Sequence, residues 1–298
     1  MIAILLTALA LADSVPAVHL TATPTIVGPG VISTLAEEFK ATVSADGQTL
    51  LYVVADHRFR HMTIVESHRQ GATWGAPEVA TFSGVWRDGD PAFAPDGRTL
   101  LFITNRPYPG DPPTTPRHNF NVWRVARRPN GTWGTPAPLG KTVNTDTSSF
   151  APSLTTAGVL YFSRGDAIYR AAPAGEDYAT PAMLPIHGGG DPAISADERF
   201  LVFDDGDAAL LVSCRTPSGW APPKRFEVPP KAGDPWVTPD NRWLYFYSDQ
   251  APPAPDRTAR PTHATYADVQ REIAGNIYNG SRNLYQLDLS SFTCGQSQ

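Results

Sequence analysis

Short apolar runs separated by turn residues recur along the whole chain. In Gly89 to Arg106, GDPAFAPDGRTLLFITNR, an apolar run at Ala92 to Ala94 leads into Pro95-Asp96-Gly97-Arg98. A second, almost wholly apolar run follows from Thr99 to Thr104. Proline presets φ for a turn, Asp hydrogen-bonds the backbone just ahead, and Gly accepts a positive φ, so the stretch predicts a β-hairpin. Variants of it start at Glu38, Phe150, Gly190 and Gly233. Their turn slots include Ala45-Asp46-Gly47, Ala196-Asp197-Glu198 and Pro239-Asp240-Asn241. The turn chemistry is kept while residues vary, which gives these Asp residues a structural role.

The second run of each unit (Leu50 to Val54, Leu100 to Ile103, Val159 to Phe162, Phe200 to Phe203, Trp243 to Tyr247) does not alternate apolar with polar. A strand wetted on one face would alternate, so these strands are expected to be buried on both faces. Turn centres at Asp46, Asp96, Ala157, Asp197 and Asp240 stand 40 to 61 residues apart. Periods of this size point to propellers or arrays, and radially packed blades give a strand two buried faces without long open edges.

Five units predict an all-β, five-bladed propeller, with blades starting near residues 38, 88, 149, 190 and 233. The last unit offers three strands, at Trp236 to Thr238, Trp243 to Tyr247 and Asn283 to Leu289. Its fourth is supplied from the other end of the chain. The stretch Thr23 to Thr34 aligns without gaps on Thr135 to Asp146, where the same pattern closes one repeat and opens the next. The N-terminal copy is therefore expected to complete the last blade and remove its open edge. An aromatic followed three residues later by Pro (Trp74, Trp133, Tyr178 and Trp220) marks the outer strand of each earlier blade, as a packing anchor and a strand-edge proline.

The run Asn121 to Pro136, NVWRVARRPNGTWGTP, together with the Asp-Pro…Pro-Asp-Gly hairpins, resembles the WD40-like β-propeller repeats of TolB-like exported proteins. The resemblance spans roughly residues 22 to 290. It implies the propeller fold and a scaffold or binding role, and less often an enzyme. Two positions depart from the pattern. Phe150-Ala151-Pro152 replaces the Asp-Pro start in the third unit, and Lys40 stands at the same place in the first.

The chain has 298 residues, with 30 Pro and 24 Gly but only 18% charged residues, a composition that suits many turns and few long helices. A net charge of −5 and the lack of a basic patch interleaved with aromatics argue against nucleic acid as a partner. Residues 1–17 read as a cleaved export signal, with an apolar stretch from Ile2 to Leu11 ahead of small-residue sites, although no Lys or Arg precedes that stretch. No segment is long enough to span a bilayer as a helix. The protein is expected to be periplasmic or secreted and monomeric, with an envelope protein or a saccharide as partner. Cys214 and Cys294 fall at strand ends on neighbouring blades and are expected to form a disulfide that ties down the tail, residues 291–298.

Candidate chemistry collects on one face. If the first strand of each blade lines the central channel, the position of Asp90 is matched by Lys40, Ala151, Asp191 and Asp234, with Glu38 and Asp88 two residues earlier. Loops on the same face add Asp56-His57-Arg58, Arg106, Arg164-Gly165-Asp166, His187 and Asp204-Asp205-Gly206-Asp207. The expected ligand-binding set is Glu38, Lys40, His57, Arg58, Asp88, Asp90, Arg106, Arg164, His187, Asp191 and Asp234. A carboxylate pair among Asp90, Asp191 and Asp234 would also suit a glycoside hydrolase, the alternative to a binding module. No residues have metal-ligand spacing, and there is no Gly-x-Ser-x-Gly elbow or phosphate loop, so neither a metal nor a cofactor is expected. An insertion at 250–282 and a long loop from Pro107 to Asn119 rise from the ring where binding loops usually sit.

Overall fold

In the computed structural model, which describes residues 17–18, 20–206, 209–250, 265–267 and 280–294, five sheets stand around one channel. Blade one is built from Glu37–Val43, Thr49–Ala55, Met62–Gln70 and Glu78–Val79, from channel to rim. Blade two follows with Asp88–Phe93, Thr99–Thr104, Asn121–Ala126 and Ala137–Pro138. Blade three contains Phe150–Leu154, Leu160–Arg164, Ala167–Ala171 and Ala182–His187. Blade four contains Gly190–Ile194, Phe200–Asp204, Leu210–Thr216 and Lys224–Phe226. Each innermost strand abuts the next, and the fifth returns to the first, so the ring is closed.

The second strands are apolar on both faces because both faces are covered. Leu50, Leu51, Leu100, Phe102, Leu160, Phe162, Val202, Phe203, Leu244 and Phe246 are all buried. Blade five has Ala232–Val237, Trp243–Ser248 and Asn283–Asp288 from its own stretch of chain. Its outer strand is Thr25–Ile26, paired with Gln286 and Tyr285, so the two ends of the chain share one blade.

The outer strands follow the prolines that mark them. They start at Glu78, Ala137, Ala182, Lys224 and Thr25, in each case directly after the proline. Proline has no N–H to give the ladder, so pairing starts with the residue behind it. The aromatics themselves act as anchors, with Trp74 and Trp133 buried. Trp133 Nε1 reaches across to Glu66 Oε2 of blade one at 3.0 Å. A further strand, Ala17–Val18, lies parallel to Lys224–Phe226 and extends blade four outward. No pattern in the sequence marks it, since two residues are too few to show a period. Residues 1–16, His187's side chain and most of the 250–282 insertion lie outside what the structure describes.

Candidate functional site

Every innermost strand carries the same irregularity. Its pairing with the second strand slips by one residue, between Phe39 and Thr42, Gly89 and Ala92, Phe150 and Ser153, Gly190 and Ala193, and Gly233 and Trp236. Inside each slip lies a non-glycine residue with positive φ: Lys40 at 52°, Asp90 at 46°, Ala151 at 48°, Asp191 at 45° and Asp234 at 53°. A β-bulge bends its strand and re-aims a side chain. The left-handed conformation costs roughly 1 to 2 kcal/mol for a residue with a Cβ. Five such residues in matching positions turn toward the channel mouth, and strain of this kind persists only where the surrounding fold imposes it.

Four of the five are charged, and they meet. Lys40 Nζ is 3.6 Å from Asp234 Oδ1 and 3.9 Å from Asp191 Oδ1, with the lysine side chain 5% exposed. This ammonium makes no hydrogen bond among the described residues. Asp90 Oδ2 accepts the N–H of Ala151 at 2.8 Å, which links blades two and three. Asp204, at the end of blade four's second strand, joins the group. One oxygen each from Asp191, Asp204 and Asp234 lies within 4.8 Å of the other two.

Four carboxyl groups around one ammonium, most of them largely buried, cannot all hold a negative charge cheaply. Burial, only partly offset by Lys40, pushes Asp90 up to about 6. Burial and then the neighbouring Asp191 charge push Asp204 up to about 7. Asp234 is raised well above the usual carboxylate range by burial, against the pull of Lys40. Burial would lower the Lys40 ammonium, but Asp191 and Asp234 outweigh it and the pKa is raised overall. The three clustered oxygens offer hard donors for a cation, a geometry that spacing along the chain does not reveal. Lys40 already supplies a positive charge there.

Above this floor opens a cavity of 510 Å³. Asp90, Asp191 and Asp234 form its base. Phe39, Phe59, Phe120, Phe150 and Tyr247 line its walls, and Arg87 and Arg282 also face it. Each arginine lies against rings. Arg87 sits 4.7 Å over Phe120, while Arg282 sits 4.5 Å over Tyr247 and 4.6 Å over Phe59. Stacking of this kind holds a guanidinium in place while leaving its edge N–H groups directed outward.

Among the expected site residues with described side chains, Glu38, Asp88, Arg106, Arg164, His57 and Arg58 are not in the lining of this cavity. Glu38 accepts from the Thr34 hydroxyl at 2.5 Å and the Thr34 N–H at 3.0 Å, and burial raises it to about 7. Asp88 is fully buried and paired with Arg106 at 2.8 Å, and Arg106 also donates to the Phe82 carbonyl. These two brace blade two from inside. Arg164 donates to the Val143 carbonyl at 2.7 Å. His57 is exposed and its Nδ1 lies 2.5 Å from Glu37 Oε1. Arg58 is exposed on the same loop, and His187 ends blade three's outer strand. Sequence reasoning missed Arg87, Arg282, Asp204's place in the cluster and the aromatic walls. Phe39 and Phe150 stand one residue before a bulge position, which was the one available signal.

On the opposite side of the ring, Cys214 and Cys294 are joined by a disulfide, with their Cα atoms 5.6 Å apart.

No protein-family model matches this chain. No curated protein matches it either. Among solved structures it is similar to TolB from Acinetobacter baumannii, at 15% identity and a TM-score of 0.45, covering 85% of this chain and 54% of that one. It is similar to a puromycin-hydrolyzing peptidase from Mycobacterium tuberculosis, at 14% identity and a TM-score of 0.44, covering 83% of this chain and 41% of that one. A third likeness is to AofleA from Arthrobotrys oligospora, at 10% identity and a TM-score of 0.44, covering 78% and 70%. The chain thus spans about half the length of the TolB it matches. At these identities none of the likenesses extends to a ligand or a reaction.

Proposed function

We propose that this chain is an exported, TolB-like propeller that works as a binding module and takes its ligand at the channel mouth floored by Asp90, Asp191 and Asp234. One observation carries the reading. A 510 Å³ cavity with aromatic walls ends on a cluster of carboxyl groups held by a buried lysine. A concave, mostly apolar cleft with a few convergent polar groups is the usual form of a small-ligand site. Export is supported by the apolar N-terminal stretch and by the disulfide, a bond that persists in oxidising compartments.

The arrangement favours binding over glycoside hydrolysis. Asp191, Asp204 and Asp234 share one cluster, and Lys40 lies between two of them. A resident ammonium stands beside carboxyl groups that a hydrolase would keep clear of a competing charge.

The test is a thermal-shift screen of defined amino acids, peptides and oligosaccharides, run beside chromogenic glycosides, with Asp191→Asn as the control. We expect a ligand that raises the melting temperature of the wild type but not of the variant, and no turnover. Hydrolysis of a glycoside that is lost in Asp191→Asn would overturn the binding reading.

A further inference from the structure

The channel mouth has opposite charges at its two depths. Its base is acidic, with four carboxyl groups set against the single ammonium of Lys40. That ammonium is more than nine-tenths buried and points into the cluster, yet it makes no hydrogen bond among the described residues. Asp191 and Asp234 therefore keep lone pairs for a second, closer donor. The arginines on the walls are the other pole. Among the described residues Arg87 Nε is buried without a hydrogen-bond partner, Arg87 Nη2 lies 3.8 Å from Met62 Sδ and the guanidinium sits over the Phe120 ring. Arg282's guanidinium rests on Phe39, Phe59 and Tyr247. Among the described residues neither guanidinium is paired with a carboxylate, and both face the cavity. The lining between the poles is apolar, with Phe59, Met62, Ile103, Phe120 and Phe150.

A neutral sugar would use the carboxylates but gain little from two arginines whose stacking already covers the faces of Phe120, Phe59 and Tyr247. A simple anion would be repelled by the base. A simple amine would leave the arginines unpaired. The chemistry that uses all three layers is an ammonium and a carboxylate separated by an apolar body.

We infer that the pocket takes a small zwitterion, its primary ammonium set down on Asp90, Asp191 and Asp234 and its carboxylate held by Arg87 and Arg282. This rests on the binding reading above and assigns it a ligand class. Such an ammonium comes either from a lysine side chain or from the free amino terminus of a short peptide.

Isothermal titration of the full chain tests it. The probes are 6-aminohexanoate, which has both charges, hexylamine and hexanoate, which have one each, and the neutral sugars glucose and maltose. We expect 6-aminohexanoate to bind about ten-fold more tightly than hexylamine, the effect of one added charge-assisted contact, and hexanoate and the sugars not to bind. Asp191→Asn should weaken both amines about ten-fold. Arg87→Gln combined with Arg282→Gln should bring 6-aminohexanoate down to the affinity of hexylamine. Melting curves confirm that each variant folds, and Asp234→Asn replaces Asp191→Asn if it does not. Nα-acetyl-lysine and the dipeptide Phe-Gly then separate the two sources, and binding of either supports the class. Equal affinity for hexanoate and 6-aminohexanoate, or no binding by any amine, overturns the zwitterion. Binding of glucose or maltose alone would do so too while leaving the binding module intact, whereas glycoside turnover would remove the module itself.

Discussion

Lys40 Nζ of blade one lies 3.6 Å from Asp234 Oδ1 of blade five, so a buried ion pair bridges the seam at which the ring closes. The same ammonium reaches Asp191 of blade four at 3.9 Å. Removing one partner of a buried pair leaves charge without compensation and costs about 3 to 5 kcal/mol. Lys40→Met keeps the stem and deletes the charge. Urea unfolding should show a loss of this size at pH 8. At pH 5, below the raised values of Asp90 and Asp204, much of the loss should be recovered. An equal loss at both pH values would mean that packing, and not the ion pair, is what Lys40 supplies.

The acid cluster makes stability depend on pH in the direction opposite to that of a salt-bridged carboxylate. Asp90 and Asp204 are raised to about 6 and 7, and Asp234 is raised as well, in each case by burial first. Between the ordinary carboxylate pKa and these values the folded protein holds protons that the unfolded chain has released. Stability therefore falls as pH rises from about 4 to about 7. Glu38, raised to about 7, adds to the slope. Asp204→Asn should flatten the melting temperature across that window. A profile that rises with pH in both proteins would contradict the assignment.

Part of this arrangement was legible along the chain. The hairpin turns were, because Pro95-Asp96-Gly97 and its variants carry turn chemistry in their side chains. Asp96 Oδ1 accepts the N–H groups of Arg98 and Thr99, as Asp46 does for Gln48. Ring closure was legible because Thr23 to Thr34 repeats a pattern found inside the chain. The acidic base of the channel was partly legible, since Asp90, Asp191, Asp234 and Lys40 share one repeat position. The rest depended on where the chain goes between repeats. Arg282 follows the insertion and Arg87 precedes its blade, so neither has a repeat equivalent that would place it. Asp88 and Glu38 share a repeat position with each other, yet each turns into local hydrogen bonds with Arg106 and Thr34.

The disulfide should act on stability and leave the channel mouth alone. Cys214 and Cys294 are separated by 80 residues, and closing a loop of that size stabilises by about 4 to 5 kcal/mol in the chain-entropy model. The bond also seats Phe292 against Phe200 and Phe226, at ring separations of 5.1 and 5.6 Å. The double variant Cys214→Ser with Cys294→Ser should unfold at lower denaturant than the wild type, and reductant should have no further effect on it. Ligand affinity at the mouth should be unchanged. If the wild type melts at the same temperature with and without reductant, the bond does not brace the fold.

Deleting residues 1 to 33 should convert a closed ring into an open one. Thr25 and Ile26 pair with Gln286 and Tyr285, the Val27 N–H donates to the Leu284 carbonyl at 2.8 Å, and the Leu284 N–H donates to the Ser33 hydroxyl at 3.1 Å. Val27 and Ile32 are buried in the same seam, and each such side chain contributes about 1.5 to 3 kcal/mol. Without them, Asn283–Asp288 becomes an unpaired edge strand beside exposed apolar surface, an arrangement that invites pairing with another chain. Size-exclusion chromatography of the truncated protein should show oligomers or aggregate. A peptide spanning residues 20 to 34, added during refolding, should restore the elution volume of the full chain by strand addition. A truncated protein that runs as a monomer with an unchanged melting temperature would show that the N-terminal strand is not what closes the ring.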